Sequence, residues 1–103
     1  MDNAAAPTKP KIEFIVAEEI EPPYRVIIHN DDKTPMDFVV AVLRAIFELA
    51  LERAEAVMLT AHYMGGAFVG AWPRNEAKRR IDEAHWLSRL EDYPLKFTME
   101  PES

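Results

Sequence analysis

Asn30-Asp31-Asp32 sets one amide and two carboxylates side by side, with His29 before them and Lys33-Thr34-Pro35 after. Acceptor side chains in consecutive positions of a turn ordinarily satisfy the turn's own backbone N–H groups, as Asx turns do, yet a turn this polar, anchored at both ends by regular structure, can also hold something. His62, far along the chain, adds an imidazole. A metal site is one possibility, drawing on Asn30, Asp31, Asp32, His29 and His62. The triplet lacks the alternate spacing and the glycine of a calcium loop, and no two histidines stand four apart on a helix. No metal and no cofactor are expected. Nucleophilic catalysis has little to work with, because cysteine is absent and the only serines are Ser88, late in a helix, and the terminal Ser103. Gly65, Gly66 and Gly70 form neither a phosphate loop nor a dinucleotide fingerprint. The residues point to binding, not to an enzyme.

Elements on both sides must hold this turn. Tyr24 to Asn30 is β-branched and apolar enough to read as a strand. Thr34 stands where an N-cap belongs, Pro35 at N1 and Asp37 three residues after the cap, so a helix starts directly after the turn. Phe38, Val39, Val42, Leu43, Ile46 and Phe47 give that helix one wide apolar stripe to about Leu49. A second helix runs from about Leu51 to Tyr63 with Ala54, Val57, Met58, Ala61 and His62 on a common face. Gly65-Gly66 closes it as a C-cap. Ala67 to Trp72 is a short apolar strand, and Pro73 at N1 opens a third helix to about Leu90. Tyr93-Pro94 breaks that helix, and Leu95 to Met99 forms the last strand. The order β-α-α-β-α-β, with helices on one face of a small sheet, is an α+β sandwich.

The chain's 103 residues suit one domain, and with 49% apolar residues it can bury a core. Its net charge of −6 argues against nucleic acid as the main partner. No apolar run approaches the ~20 residues of a membrane span, and no signal-like segment opens the chain. The absence of cysteine fits a reducing, cytoplasmic setting. Residues 1–21, rich in Ala, Pro and Glu, read as a flexible extension, with Met1 to Pro10 disordered. Residues 22–103 form the core domain.

From Pro23 to Glu100 the chain resembles the ClpS family of Clp protease adaptors. The carrying residues are Asn30-Asp31-Asp32-Lys33-Thr34-Pro35-Met36-Asp37-Phe38-Val39, Glu52-Arg53-Ala54, Met58, His62-Tyr63-Met64-Gly65 and Pro94-Leu95. The resemblance implies three antiparallel strands packed with three helices, in a monomer that reads free N-terminal Leu, Phe, Tyr or Trp (N-degrons). Asn30, Asp31 and His62 would then hold the α-ammonium group. Asp32 and Thr34 would contact the following backbone. Ile28, Met36, Val39, Met58, Ala61 and Leu95 would wall the side-chain pocket, with Met36 crowding out β-branched first residues. Docking on the N-domain of a Clp-type AAA+ ATPase would fall to Asn75, Glu76 and Arg80. A different function class keeps the same fold: a docking module that modulates such an ATPase or another partner without reading N-termini. A metal-dependent hydrolase on Asp31, Asp32 and His62 is the poorer third.

Overall fold

The computed structural model describes residues 22–102. The extension expected over residues 1–21 lies outside them. The six elements are β1 (Tyr24–His29), α1 (Met36–Ala45), α2 (Leu51–Met64), β2 (Gly66–Trp72), α3 (Arg74–Leu90) and β3 (Lys96–Pro101). The fold is the α+β sandwich expected, with β1 central in a sheet ordered β2-β1-β3 and both pairings antiparallel.

Strand alternation decides what meets the helices. Val26 and Ile28 of β1 are buried, whereas Arg25, Ile27 and His29 are only half-buried. Opposite them, Val69 of β2 and Phe97 of β3 are also buried. The stripe of α1 joins the same core through Val39, Val42 and Leu43. Phe47 sits between two rings, its centroid 4.8 Å from that of Phe97 and 5.6 Å from that of Trp72. Burying one such ring contributes roughly 1.5–3 kcal/mol. The indole of Trp72 lies over Gly70, where an added Cβ would approach it to 2.7 Å, so only glycine fits beneath that ring. Between Val26 and Ile27 the β1–β2 register slips by one residue of β2, which leaves Val69 as a bulge.

The strands shift by one or two residues at their ends, β3 running Lys96–Pro101 where Leu95 to Met99 was expected, and three helix ends differ in kind. Thr34 does not cap α1, because its hydroxyl donates to Asp31 Oδ2 at 2.9 Å. Pro35 takes the cap position instead, with extended ψ of 146° and its carbonyl accepting the Val39 N–H at 3.1 Å. Pro73 does the same for α3, accepting the Ala77 N–H at 2.9 Å. Helix α1 also stops four residues early, at Ala45. Ile46 and Phe47 turn into the core, and Glu48 enters the left-handed region at φ 60°. The carbonyl of Ile46, orphaned by this stop, receives a hydrogen bond from Arg80 Nη1. Gly65 ends α2 as expected, with φ of 93° and its N–H donating to the Ala61 carbonyl.

Candidate functional site

The turn after β1 is built around one carboxylate. Asp31 Oδ1 accepts the backbone N–H groups of Lys33 at 2.8 Å and Thr34 at 2.7 Å, while Oδ2 takes the Thr34 hydroxyl. Three bonds within three residues pin both the turn and the direction of the carboxylate. From the other side, the Asn30 N–H donates to the Gly65 carbonyl at 3.1 Å, tying the turn to the end of α2. That tie brings His62, on the last turn of α2, to the side of Asn30 and Asp31. Its ring stands edge-on to Tyr63, with centroids 4.9 Å apart.

Beneath the turn lies a cleft of about 320 Å³. Its walls combine Ile28 from β1, Met36 and Val39 from α1, Met58 and Ala61 from α2, and Leu95 before β3. Ile28, Val39, Ala61 and Leu95 are buried, Met58 is half-buried, and Met36 stands at the mouth with 44% of its surface exposed. Asn30, Asp31, Asp32, Thr34 and His62 line the polar side of the same cleft. Every residue that the sequence offered for ammonium, backbone or pocket contact therefore meets in one place. The helical spacing put His62 on the inward face of α2. It is exposed instead, one residue past the buried Ala61, at the cleft's rim.

His29, offered from sequence only as a possible metal ligand, also lines the cleft, as do Lys33 and Pro35, which were given no contact there. Lys33 and Pro35 belong to the turn itself, so adjacency alone could have found them. The His29 ring turns to the outer face of the sheet, where Nε2 lies 2.8 Å from Thr98 Oγ1. Among the described residues, no group of three or more His, Cys, Asp or Glu side chains is placed to hold a metal ion.

The three residues assigned to partner docking do not form one outward surface. Asn75 is exposed, Glu76 is half-buried, and Arg80 is buried at 8% exposure. The Arg80 guanidinium donates to Glu76 Oε2 from Nε at 3.1 Å and from Nη2 at 2.7 Å, and stacks 5.1 Å from the Trp72 ring centroid. With its third nitrogen on the Ile46 carbonyl, it joins α3 to the end of α1. Arg80 is a structural cross-link. Nothing in its residue type separates this role from a surface contact, since Arg80 follows Lys78 and Arg79 in an evidently basic stretch.

A preformed apolar well roofed by fixed acceptors, on a scaffold of three strands and three helices, defines a small binding module. Comparison with known proteins gives the module its family. Residues 19–98 match the family model described as ATP-dependent Clp protease adaptor protein ClpS. The chain is 42% identical over 85 residues to the ATP-dependent Clp protease adapter protein ClpS of Desulforapulum autotrophicum, covering 82% of each chain. It is 45% identical over 84 residues to that of Xanthomonas campestris pv. campestris, covering 80% of this chain and 79% of the relative. Its structure is similar to Agrobacterium tumefaciens ClpS2 bound to L-phenylalaninamide, with a TM-score of 0.76 and 40% identity, covering 80% of this chain and 99% of that one. The chain belongs to the ClpS family: it is an adaptor of the Clp protease and not an enzyme.

Proposed function

We propose that this adaptor binds a free N-terminal Leu, Phe, Tyr or Trp and delivers its bearer to a Clp AAA+ ATPase–protease in the cytoplasm. One observation carries the reading: the acceptors Asn30, Asp31 and His62 stand over a single cleft walled by Ile28, Met36, Val39, Met58, Ala61 and Leu95. An α-ammonium group brings a full charge and three N–H donors, and partial burial demands acceptors for all of them. Asn30 offers an amide oxygen, Asp31 a carboxylate, and neutral His62 a ring nitrogen. The first side chain then enters the apolar well, where burying a Leu or Phe contributes roughly 1.5–3 kcal/mol. Asp32 and Thr34 meet the backbone that follows. The amino-acid amide bound by the Agrobacterium relative has both features, a free ammonium and an aromatic side chain.

Docking on the ATPase N-domain falls to the start of α3. Asn75 and Glu76 supply the contact, and Arg80 holds Glu76 in place from beneath. The test of substrate reading is fluorescence anisotropy with labelled peptides that differ only at the first residue. Leu and Phe ends should bind, Arg should not, and acetylated Phe should lose at least tenfold, as expected for losing a charge-assisted contact of about 1.5–3 kcal/mol. Equal weak binding of all four would return the turn to a structural role and favour a docking module that ignores N-termini.

A further inference from the structure

Helix α3 spends one side on the core, where Ala77, Ile81, Ala84 and Ser88 are buried. Its opposite side carries two large apolar groups in water: Trp86 is 59% exposed and Leu90, one turn on, is 61% exposed. A single exposed apolar side chain means little, but two neighbours on a helix whose other exposed positions are polar or charged form a patch.

The charges around that patch are ordered. At 3.6 residues per turn, positions four before and three after Trp86 lie on one flank of it, and positions three before and four after lie on the other. The first flank holds Asp82 and Arg89, the second Glu83 and Leu90. Asp82 is exposed and pairs with Lys78 at 2.8 Å, which leaves carboxylate lone pairs for a second cation. Arg89 is exposed and is in no ion pair among the described residues.

We infer that this face binds the same face of a second copy of the chain, with the two α3 helices antiparallel about a two-fold axis at Trp86. The inference stands apart from the reading of N-termini, and the dimer replaces the monomer that the resemblance implies. A two-fold sets each group against the one at the mirrored distance from the axis on the same flank of the other copy. Asp82 of one copy therefore meets Arg89 of the other, twice, and opposite charges face each other both times. Leu90 meets the stem of Glu83, and the two indoles cover each other at the centre. A parallel two-fold would instead set Asp82 against Glu83, like against like. Burial of the indoles and leucines drives the contact, and the ion pairs at its rim choose its direction. One helix crossing another covers far less than the ~1,600 Å² of a standard interface, so the dimer is weak and exchanges. No residue of α3 lines the cleft, so the contact leaves the cleft's lining untouched.

Sedimentation velocity tests this from about 10 µM to about 1 mM protein, the range of a weak interface. Salt at ~0.15 M screens the net charge of −6 on each copy. The average mass should climb towards that of two chains. Trp86→Lys should keep the mass of one chain throughout, and Leu90→Lys repeats the test from a second position, both checked for native circular dichroism. Asp82→Lys alone and Arg89→Glu alone should each weaken the dimer by roughly three- to tenfold, and the two together should restore it. The mass of one chain at every concentration overturns the inference, as does a dimer that survives both lysine variants. Charge reversals without effect, or a loss that the double variant does not recover, overturn the antiparallel pairing.

Discussion

Asp31 and Arg80 each fix a bend in the chain with a charged side chain, but they leave it in different chemical states. The Asp31 bonds are local, to residues two and three positions ahead, and the carboxylate stays at the edge of an apolar well. A carboxylate has about four lone-pair sites, so three internal bonds leave it able to accept another. Beside it, the side chains of Asn30 and His62 make no hydrogen bond among the described residues. Arg80 reaches 34 positions back along the chain to Ile46, engages Glu76 twice and lies against Trp72. Its nitrogens all have partners inside the protein, and it is buried. Charge alone does not mark a functional residue in this chain. Residual hydrogen-bonding capacity beside an apolar cavity does.

The largest effect should come from Asp31→Ala. It removes the charged acceptor for the ammonium group and the three bonds that aim the turn, so affinity for Phe-ended peptides should fall by roughly 10- to 100-fold. Loss of what amounts to a cap should cost about 1 kcal/mol of stability. Titration of the folded variant, checked by circular dichroism, measures the first and urea unfolding the second. Unchanged affinity would make Asp31 as purely structural as Arg80 and dissolve the contrast. Arg80→Met should show the opposite balance. Leaving the Ile46 carbonyl without its charged donor should cost about 2–3 kcal/mol in urea unfolding, with peptide affinity intact. An equal loss of affinity would mean that the end of α1 transmits its position to the cleft.

The juxtaposition of the candidate site's residues was more legible in the sequence than the scaffold's own polar links; the pocket walls came from the family resemblance, and the turn from local physics. Asn30, Asp31 and Asp32 are adjacent in sequence, between an apolar strand and a proline-led helix start, so local rules alone place them on one anchored turn. Met58 and Ala61 follow from helical period, which also set His62 inward, where the structure leaves it exposed at the rim. Element order and type were readable for the same reason, because each element carries its own periodicity. Tertiary competition hid the rest. The stripe of α1 continues in sequence through Ile46 and Phe47, but the core takes both residues by breaking the helix, and only Arg80 in a distant helix makes that break tolerable. The Thr34 hydroxyl had two possible partners, and the nearby Asp31 carboxylate took it from the helix end. Neither contest can be decided from spacing.

A smaller effect tests the structural half of the contrast through pH. His85 on α3 accepts the Phe97 N–H at Nε2, 3.0 Å away, and so stitches the helix to β3. Accepting there requires the neutral ring with its proton on Nδ1. Burial holds this imidazole below its ordinary value of 6.5; Arg89 and, more weakly, Lys96 push in the same direction, while Asp82 opposes them. The sign follows from linkage: with the folded value lowered, the unfolded chain binds the proton more readily. The contribution is therefore complete above the unfolded value and is lost as pH falls through it towards the folded one. The urea midpoint of the native chain should drop between about pH 7 and pH 5. His85→Gln, which can accept the same N–H through Oε1 without titrating, should show a shallower drop. Identical slopes for the two proteins would remove His85 as the source of the drop.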